Sequence, residues 1–266
     1  MAPSLPAAFD LTGRTALVTG AGSPTGIGMA CAWLLAQCGA RVAVVATTGR
    51  VQERVAELAD AGHVATGVVA DLTTASGAEA AVAAALALGG GLDVLVNNAG
   101  MVSAASGGDH LEGDLLGTPP ERWAASLARN LDTAYLTTRA ALPLLRASGH
   151  GRVVMVTSVT GAAMAMRGEV GYAAAKAALV GLTRALAVDE ARHGLTVNAV
   201  APGWVSTGSQ TPAEAREGLV TPVGRSGAAH EVAAAVVFLA GPGAAYVNGQ
   251  VLVVDGGNTV AEERAG

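Results

Sequence analysis

The chain places a phenol and an ammonium one helical turn apart, in Tyr172-Ala-Ala-Ala-Lys176. Residues at i and i+4 share a helix face. Lys176 is the only lysine; every other basic position carries arginine. A compact ammonium can sit against a phenol and a ribose in a way that a planar guanidinium fork cannot. A free tyrosine has a pKa near 10, so acid/base work near neutral pH needs a fall of roughly three units, about 4 kcal/mol. A cation ~4 Å away at an effective dielectric of ~20 supplies about that much. Tyr172 with Lys176 could therefore exchange a proton with an alcohol or carbonyl oxygen. An ordinary amphipathic helix with a surface lysine is the alternative.

A second stretch points to an anion. The run Thr19-Gly20-Ala21-Gly22-Ser23-Pro24-Thr25-Gly26-Ile27-Gly28 lies between an apolar β-branched segment and a helical one. Free N–H groups and the dipole at a helix N-terminus favour phosphate, and glycine lets a pyrophosphate approach the backbone. A tight turn without ligand is the alternative. After the second strand, Arg41-Val-Ala-Val-Val-Ala46 continues into Thr47, Thr48, Gly49 and Arg50. An acid there would bind the ribose hydroxyls of NAD; Ala46 stands in that place instead. The two hydroxyls and the Arg50 charge predict NADP, with NAD as the alternative.

The elements that must position these groups alternate. Strands are expected at Thr15–Thr19, Arg41–Ala46, Val64–Val69, Asp93–Asn97, Arg152–Thr157, Thr196–Ala201 and Gln250–Val254. Helices are expected at Ile27–Cys38, Val51–Ala61, Ser76–Leu88, Pro120–Ala147, Tyr172–Arg192 and Glu231–Ala240. Strands that read as continuous Val/Ala/Leu are buried on both faces. The alternation predicts a single-domain Rossmann-type doubly wound parallel sheet of about seven strands, with a core over about 11–258. Two stretches lack a regular pattern, Met101–Pro119 and Val205–Gly224. They follow central strands, where ligands bind in open α/β sheets, and are candidate substrate loops.

Composition narrows the class. Of 266 residues, 51% are hydrophobic and 14% charged, which excludes disorder. No apolar run reaches the roughly 18 residues of a membrane span. Net charge is −5 with no basic stripe, so nucleic acid is not an expected partner. The first residues read as no secretory signal, and two cysteines, Cys31 and Cys38, suit reduced thiols in a cytoplasmic protein. His63, His110, His150, His193 and His230 have no ligand spacing, so no metal is expected; His110 falls in a candidate loop.

Taken together, the turn TGAGSPTGIG, Asn97-Asn98-Ala99-Gly100, Ser158, Tyr172-x-x-x-Lys176 and Pro202-Gly203 resemble the short-chain dehydrogenase/reductase family, from about Leu11 to Asn258. Val200-Ala-Pro-Gly203 and the ending Gly249-Gln-Val-Leu-Val-Val-Asp-Gly-Gly257 resemble its 3-oxoacyl-[acyl-carrier-protein] reductase-like branch. The resemblance implies strand order 3-2-1-4-5-6-7. It implies that Ser158 hydrogen-bonds the substrate oxygen, that Tyr172 is the acid/base, that Lys176 lowers its pKa and holds the nicotinamide ribose, and that Asn130 anchors a proton-relay water. Asp71, with Leu72 beside it, would accept from the adenine amino group. Asn98, Ala99 and Gly100 would line the adenosine ribose side; Pro202, Gly203, Val205 and Thr207 would hold the carboxamide side. Asp71 could instead cap the following helix. The sequence departs from the family turn, because Gly20 and Gly26 enclose five residues where the family has three.

The function expected is NADP-linked interconversion of a small-molecule ketone and a secondary alcohol by hydride transfer. The resemblance also implies a homotetramer built on the helices Pro120–Ala147 and Tyr172–Arg192 and on the last strand. An NAD-linked alcohol dehydrogenase and a non-catalytic nucleotide sensor are the alternatives. Basic residues that would welcome a carrier-protein thioester are few in the candidate loops, Arg216 and Arg225 among them, so a free small substrate is credible. Met164, Met166 and Trp204 flank the expected pocket.

Overall fold

The computed structural model describes residues 5–100 and 113–262. In chain order the strands are β1 Thr15–Thr19, β2 Arg41–Ala46, β3 Ala65–Val69, β4 Val94–Asn97, β5 Arg152–Val156, β6 Thr196–Pro202, β7 Val205–Ser206, β8 Gly227–Ala228 and β9 Val251–Val254. The helices are α1 Ile27–Gln37, α2 Arg50–Asp60, α3 Ala75–Gly89, α4 Pro120–Leu127, α5 Thr133–Ser148, α6 Val159–Ala162, α7 Val170–Glu190, α8 Pro212–Leu219 and α9 Ala229–Ala240. Seven strands pair in parallel in the order β3-β2-β1-β4-β5-β6-β9, and β7 with β8 makes a separate two-stranded ribbon. The expected doubly wound sheet and its order are both present.

Side chains alternate across the sheet, and both faces are apolar. On β1, Ala16 and Val18 join a core with Met29 and Leu35 of α1 and Val236 of α9. Leu17 points the other way, into a core with Ala81 of α3, Leu145 of α5 and Leu179 of α7. Each fully buried Val or Leu contributes about 1.5–3 kcal/mol. Between β1 and β4 the winding reverses, and the crevice at the carboxyl ends there is where such sheets take ligands.

Two expectations need correction. The single helix expected over Pro120–Ala147 is α4 and α5 with a π-helical segment, Ala128–Asp132, between them. A π turn holds one residue more than an α turn and is confined to a single widened turn, too short for a sequence pattern to separate from the helices on either side. The stretch Val205–Gly224 is not patternless: it holds β7 and α8. Of Met101–Pro119, residues 101–112, including His110, lie outside the described residues. Gly113 is bridged to Glu169, just before α7.

Candidate active site

The site is built where β1 and β4 end. The Thr19 hydroxyl oxygen accepts from the backbone N–H of Asn98 and of Ala99, both at 2.9 Å. The Asn98 side-chain amide donates back to the carbonyls of Thr19 at 3.0 Å and Gly20 at 3.1 Å. This stitch joins the two carboxyl ends at the switch point. Gly28 sits against it: a Cβ there would stand 2.5 Å from Asn98 Nδ2 and 2.6 Å from the Gly20 carbonyl oxygen. Gly20 itself has φ +69°, which favours glycine.

Helix α1 begins after Gly26, which offers no side-chain cap, and its first turn holds no acid. By contrast, Thr74 caps α3 and Thr211 caps α8. An uncapped N-terminus whose dipole opens onto the crevice suits a phosphate. The two additional residues of the turn are absorbed locally, because Gly26 N–H donates to the Ser23 carbonyl at 3.2 Å. Gly22 is pressed on the end of β2, where a Cβ would come within 2.9 Å of Ala46 Cβ. Beyond Ala46, residues Thr47 to Arg50 are exposed, and Arg50 Nε donates to the Thr48 hydroxyl at 3.3 Å. This cationic, hydroxyl-bearing end fits a 2′-phosphate. Asp71 is exposed and accepts from the Thr73 hydroxyl at 2.7 Å and its N–H at 3.0 Å, which holds the carboxyl below its usual range. Thr74 caps α3, so the capping alternative for Asp71 is set aside. The Leu72 side chain is buried in the core, leaving only its backbone toward a ligand.

Tyr172 and Lys176 lie on the first turns of α7. Lys176 is 3% exposed; its ammonium donates to the Val156 carbonyl at 3.0 Å and lies 5.6 Å from the centre of the Tyr172 ring. Burial pulls its pKa down to about 8. The Thr157 hydroxyl donates to the Lys176 carbonyl at 2.7 Å and ties α7 to the end of β5. Ser158 follows and caps α6, accepting from Thr160 N–H at 3.2 Å. Asn130 is fully buried in the π segment, and its amide donates to the Ser126 carbonyl at 3.2 Å. Gly100 joins these groups. A Cβ there would stand 2.8 Å from Asn130 Oδ1 and 3.3 Å from Lys176 Nζ. The amide oxygen and the ammonium thus converge on one stretch of backbone, which only a glycine at φ +147° provides.

A crevice of about 220 Å³ opens here, lined by Ile27, Asn98, Gly100, Ser158, Tyr172, Lys176, Pro202, Gly203, Val205 and Thr207 among others. Met164, Met166 and Trp204 also line it. The remaining turn residues, with Thr47, Thr48, Arg50, Asp71, Leu72, Ala99 and the buried Asn130, lie outside that lining. Sequence reasoning missed Glu169 and Asn258, and it reached Ser209, Gln210 and Glu214 only as part of the candidate loop 205–224; the fold brings all five to the same crevice. For Glu214 a signal existed, since Thr211-Pro-Ala-Glu214 is a capping box.

The family described as enoyl-(acyl carrier protein) reductase matches residues 20–259. The 3-oxoacyl-[acyl-carrier-protein] reductase FabG of Vibrio cholerae is 38% identical over 254 residues, covering 94% of this chain and 98% of that protein. The chain belongs to the short-chain dehydrogenase/reductase family. The oxidoreductase UcpA of Salmonella typhimurium is 36% identical over 264 residues, 95% of this chain and 97% of its own. A solved structure from Beutenbergia cavernae, described as a candidate NAD(P)-dependent gluconate 5-dehydrogenase with NADP bound at low occupancy, is 40% identical with a TM-score of 0.85. It covers 96% of this chain and 100% of its own. This short-chain dehydrogenase/reductase is therefore an oxidoreductase, and the non-catalytic alternative falls. Among its described residues no helix is long and apolar enough to cross a membrane.

Proposed function

We propose that this short-chain dehydrogenase/reductase interconverts a ketone and a secondary alcohol with NADP, and that Tyr172 is the general acid/base. One observation carries the reading. The chain's only lysine is buried at the crevice floor, one helical turn from a tyrosine that lines the same crevice.

When bound, the nicotinamide nucleotide supplies the hydride acceptor or donor. The glycine turn and α1 would hold its pyrophosphate, and Thr47, Thr48 and Arg50 its 2′-phosphate. Asp71 would take the adenine amino group, Asn98 to Gly100 the adenosine ribose side, and Pro202, Gly203, Val205 and Thr207 the carboxamide side. In reduction, Tyr172 gives its phenolic proton to the carbonyl oxygen while Ser158 donates a hydrogen bond to that oxygen. The Lys176 ammonium stabilises the phenolate left behind. Asn130 anchors a water that returns a proton toward Lys176. NADP is supported by the missing acid after β2, by the Arg50–Thr48 pair and by the NADP in the Beutenbergia neighbour.

The same reading makes 205–224 a substrate loop of a one-domain enzyme and carries a homotetramer. Exposed apolar residues support the assembly: Tyr135 on α5, Val188 on α7, Tyr246, and Leu252 and Val253 on the edge strand β9. Cys31 and Cys38 are free thiols, in keeping with a cytoplasmic enzyme. Tyr172→Phe tests the chemistry. It should still bind NADPH in a fluorescence titration while turnover falls by roughly 10²–10⁴-fold. Retained turnover would refute the assignment.

A further inference from the structure

We infer that Thr157 is a positioning residue for the proton-transfer pair: its hydroxyl fixes Lys176 beside the Tyr172 ring, and with Gly161 it clamps the Ser158 turn to the same stretch of α7. This deepens the acid/base reading above and rests on it. Thr157 is 3% exposed and follows the last residue of β5, where its backbone N–H donates to the Val200 carbonyl at 2.9 Å. Two consecutive residues there grip Lys176 at both of its ends. The Val156 carbonyl accepts from the ammonium at 3.0 Å, and the Thr157 hydroxyl donates to the Lys176 backbone carbonyl at 2.7 Å. A lysine stem is flexible, so the point from which it starts helps to decide where its charge stands.

The second anchor is Gly161. Helix α6 departs from helical geometry at this residue, which has φ +95°. A Cβ there would meet the Ala173 carbonyl and would stand 2.7 Å from the Ala177 nitrogen. The Gly161 backbone thus lies directly on the turn of α7 that separates Tyr172 from Lys176. Ser158 sits between the two anchors. Its oxygen accepts from Thr160 N–H at 3.2 Å, which leaves its own proton to donate. The charged groups among the described lining are Lys176, Glu169 and Glu214, and Thr157 is bonded to the first of them. The acidity of the phenol depends on how near the ammonium stands.

The test is the titration of Tyr172 in the full chain loaded with oxidised NADP. Ultraviolet difference spectra report phenolate, and subtracting the Tyr172→Phe protein isolates this phenol from Tyr135 and Tyr246. In Thr157→Val the Tyr172 transition should move up by about half a pH unit or more, because the ammonium is no longer held at the phenol. The kcat for the best-used member of a panel of alkyl and aryl ketones should fall about tenfold near neutral pH, while KM for NADPH stays within about twofold. Thr157→Ser keeps the hydroxyl and should restore both values. Thr157→Ala removes the hydroxyl without added bulk and replaces the valine variant if that one does not fold. A Tyr172 titration that stays put in a folded variant overturns the inference, whatever kcat does, and leaves Tyr172 as the acid/base. A serine variant that behaves like the valine one overturns it too, since the hydroxyl would not be the cause. A wild-type Tyr172 that titrates no lower than free tyrosine overturns the acid/base reading and the inference with it.

Discussion

The hydroxyl oxygen of Thr25 accepts a 2.8 Å hydrogen bond from the backbone N–H of Gly208, 183 residues away along the chain. A Cβ on Gly208 would come equally close to that oxygen, so the loop backbone lies directly on the glycine turn. Thr25 belongs to the stretch that makes this turn longer than the family pattern. The lengthened turn therefore reaches the segment after β7 and bridges the two sides of the crevice mouth.

Thr25→Ala should release that bridge. One neutral hydrogen bond is worth about 1 kcal/mol net, so NADPH should dissociate roughly fivefold faster. Thr25→Ser should restore the slow rate. Stopped-flow release of NADPH from the three proteins checks this; identical rates would show that the contact does not hold the mouth closed.

Gly100→Ala puts a methyl group into the gap between Asn130 Oδ1 and Lys176 Nζ, at a φ that side chains rarely adopt. The kcat should fall by about tenfold or more, since misplacing a positioned group by a fraction of an ångström disturbs the proton path. Near-wild-type kcat in a folded variant would mean that the convergence on Gly100 does not matter.

Lys176 yields a stability prediction with a definite sign. Its folded pKa is about 8, below the ordinary 10.5, so folding disfavours its charged form. That penalty is present in full below pH 8 and disappears between about pH 8 and 10.5. Relative to Lys176→Met, the wild type should therefore gain stability across that window, by up to roughly 3 kcal/mol. Urea denaturation of both proteins without cofactor, at pH 7 and pH 10, measures the difference. Turnover should move the opposite way and decline above pH 8, as the ammonium that supports the Tyr172 phenolate is lost.

Arg50→Ala should raise KM for NADP about tenfold and leave KM for NAD nearly unchanged, because a charge-assisted hydrogen bond to phosphate contributes about 1.5 kcal/mol or more. Arg50 is exposed, so the effect should weaken with added salt. An equal change for both nucleotides would remove Arg50 from the 2′-phosphate site.

The features legible in the sequence are those set by near neighbours. The bounds of β1 and β2 stand as expected from their apolar β-branched runs. The glycine turn and the Tyr172–Lys176 spacing are likewise local, because helix period and backbone freedom act within a few residues. Tertiary structure decided the rest. The bridge from Thr25 to Gly208, the approach of Asn130 and Lys176 to Gly100, and the arrival of Glu169 and Glu214 at one crevice join residues far apart in the chain. Such meetings depend on how helices seat on a finished sheet, and no window of sequence contains both partners. That is why the chemistry of the proton could be read from one helix, while the electrostatics of the crevice had to wait for the fold.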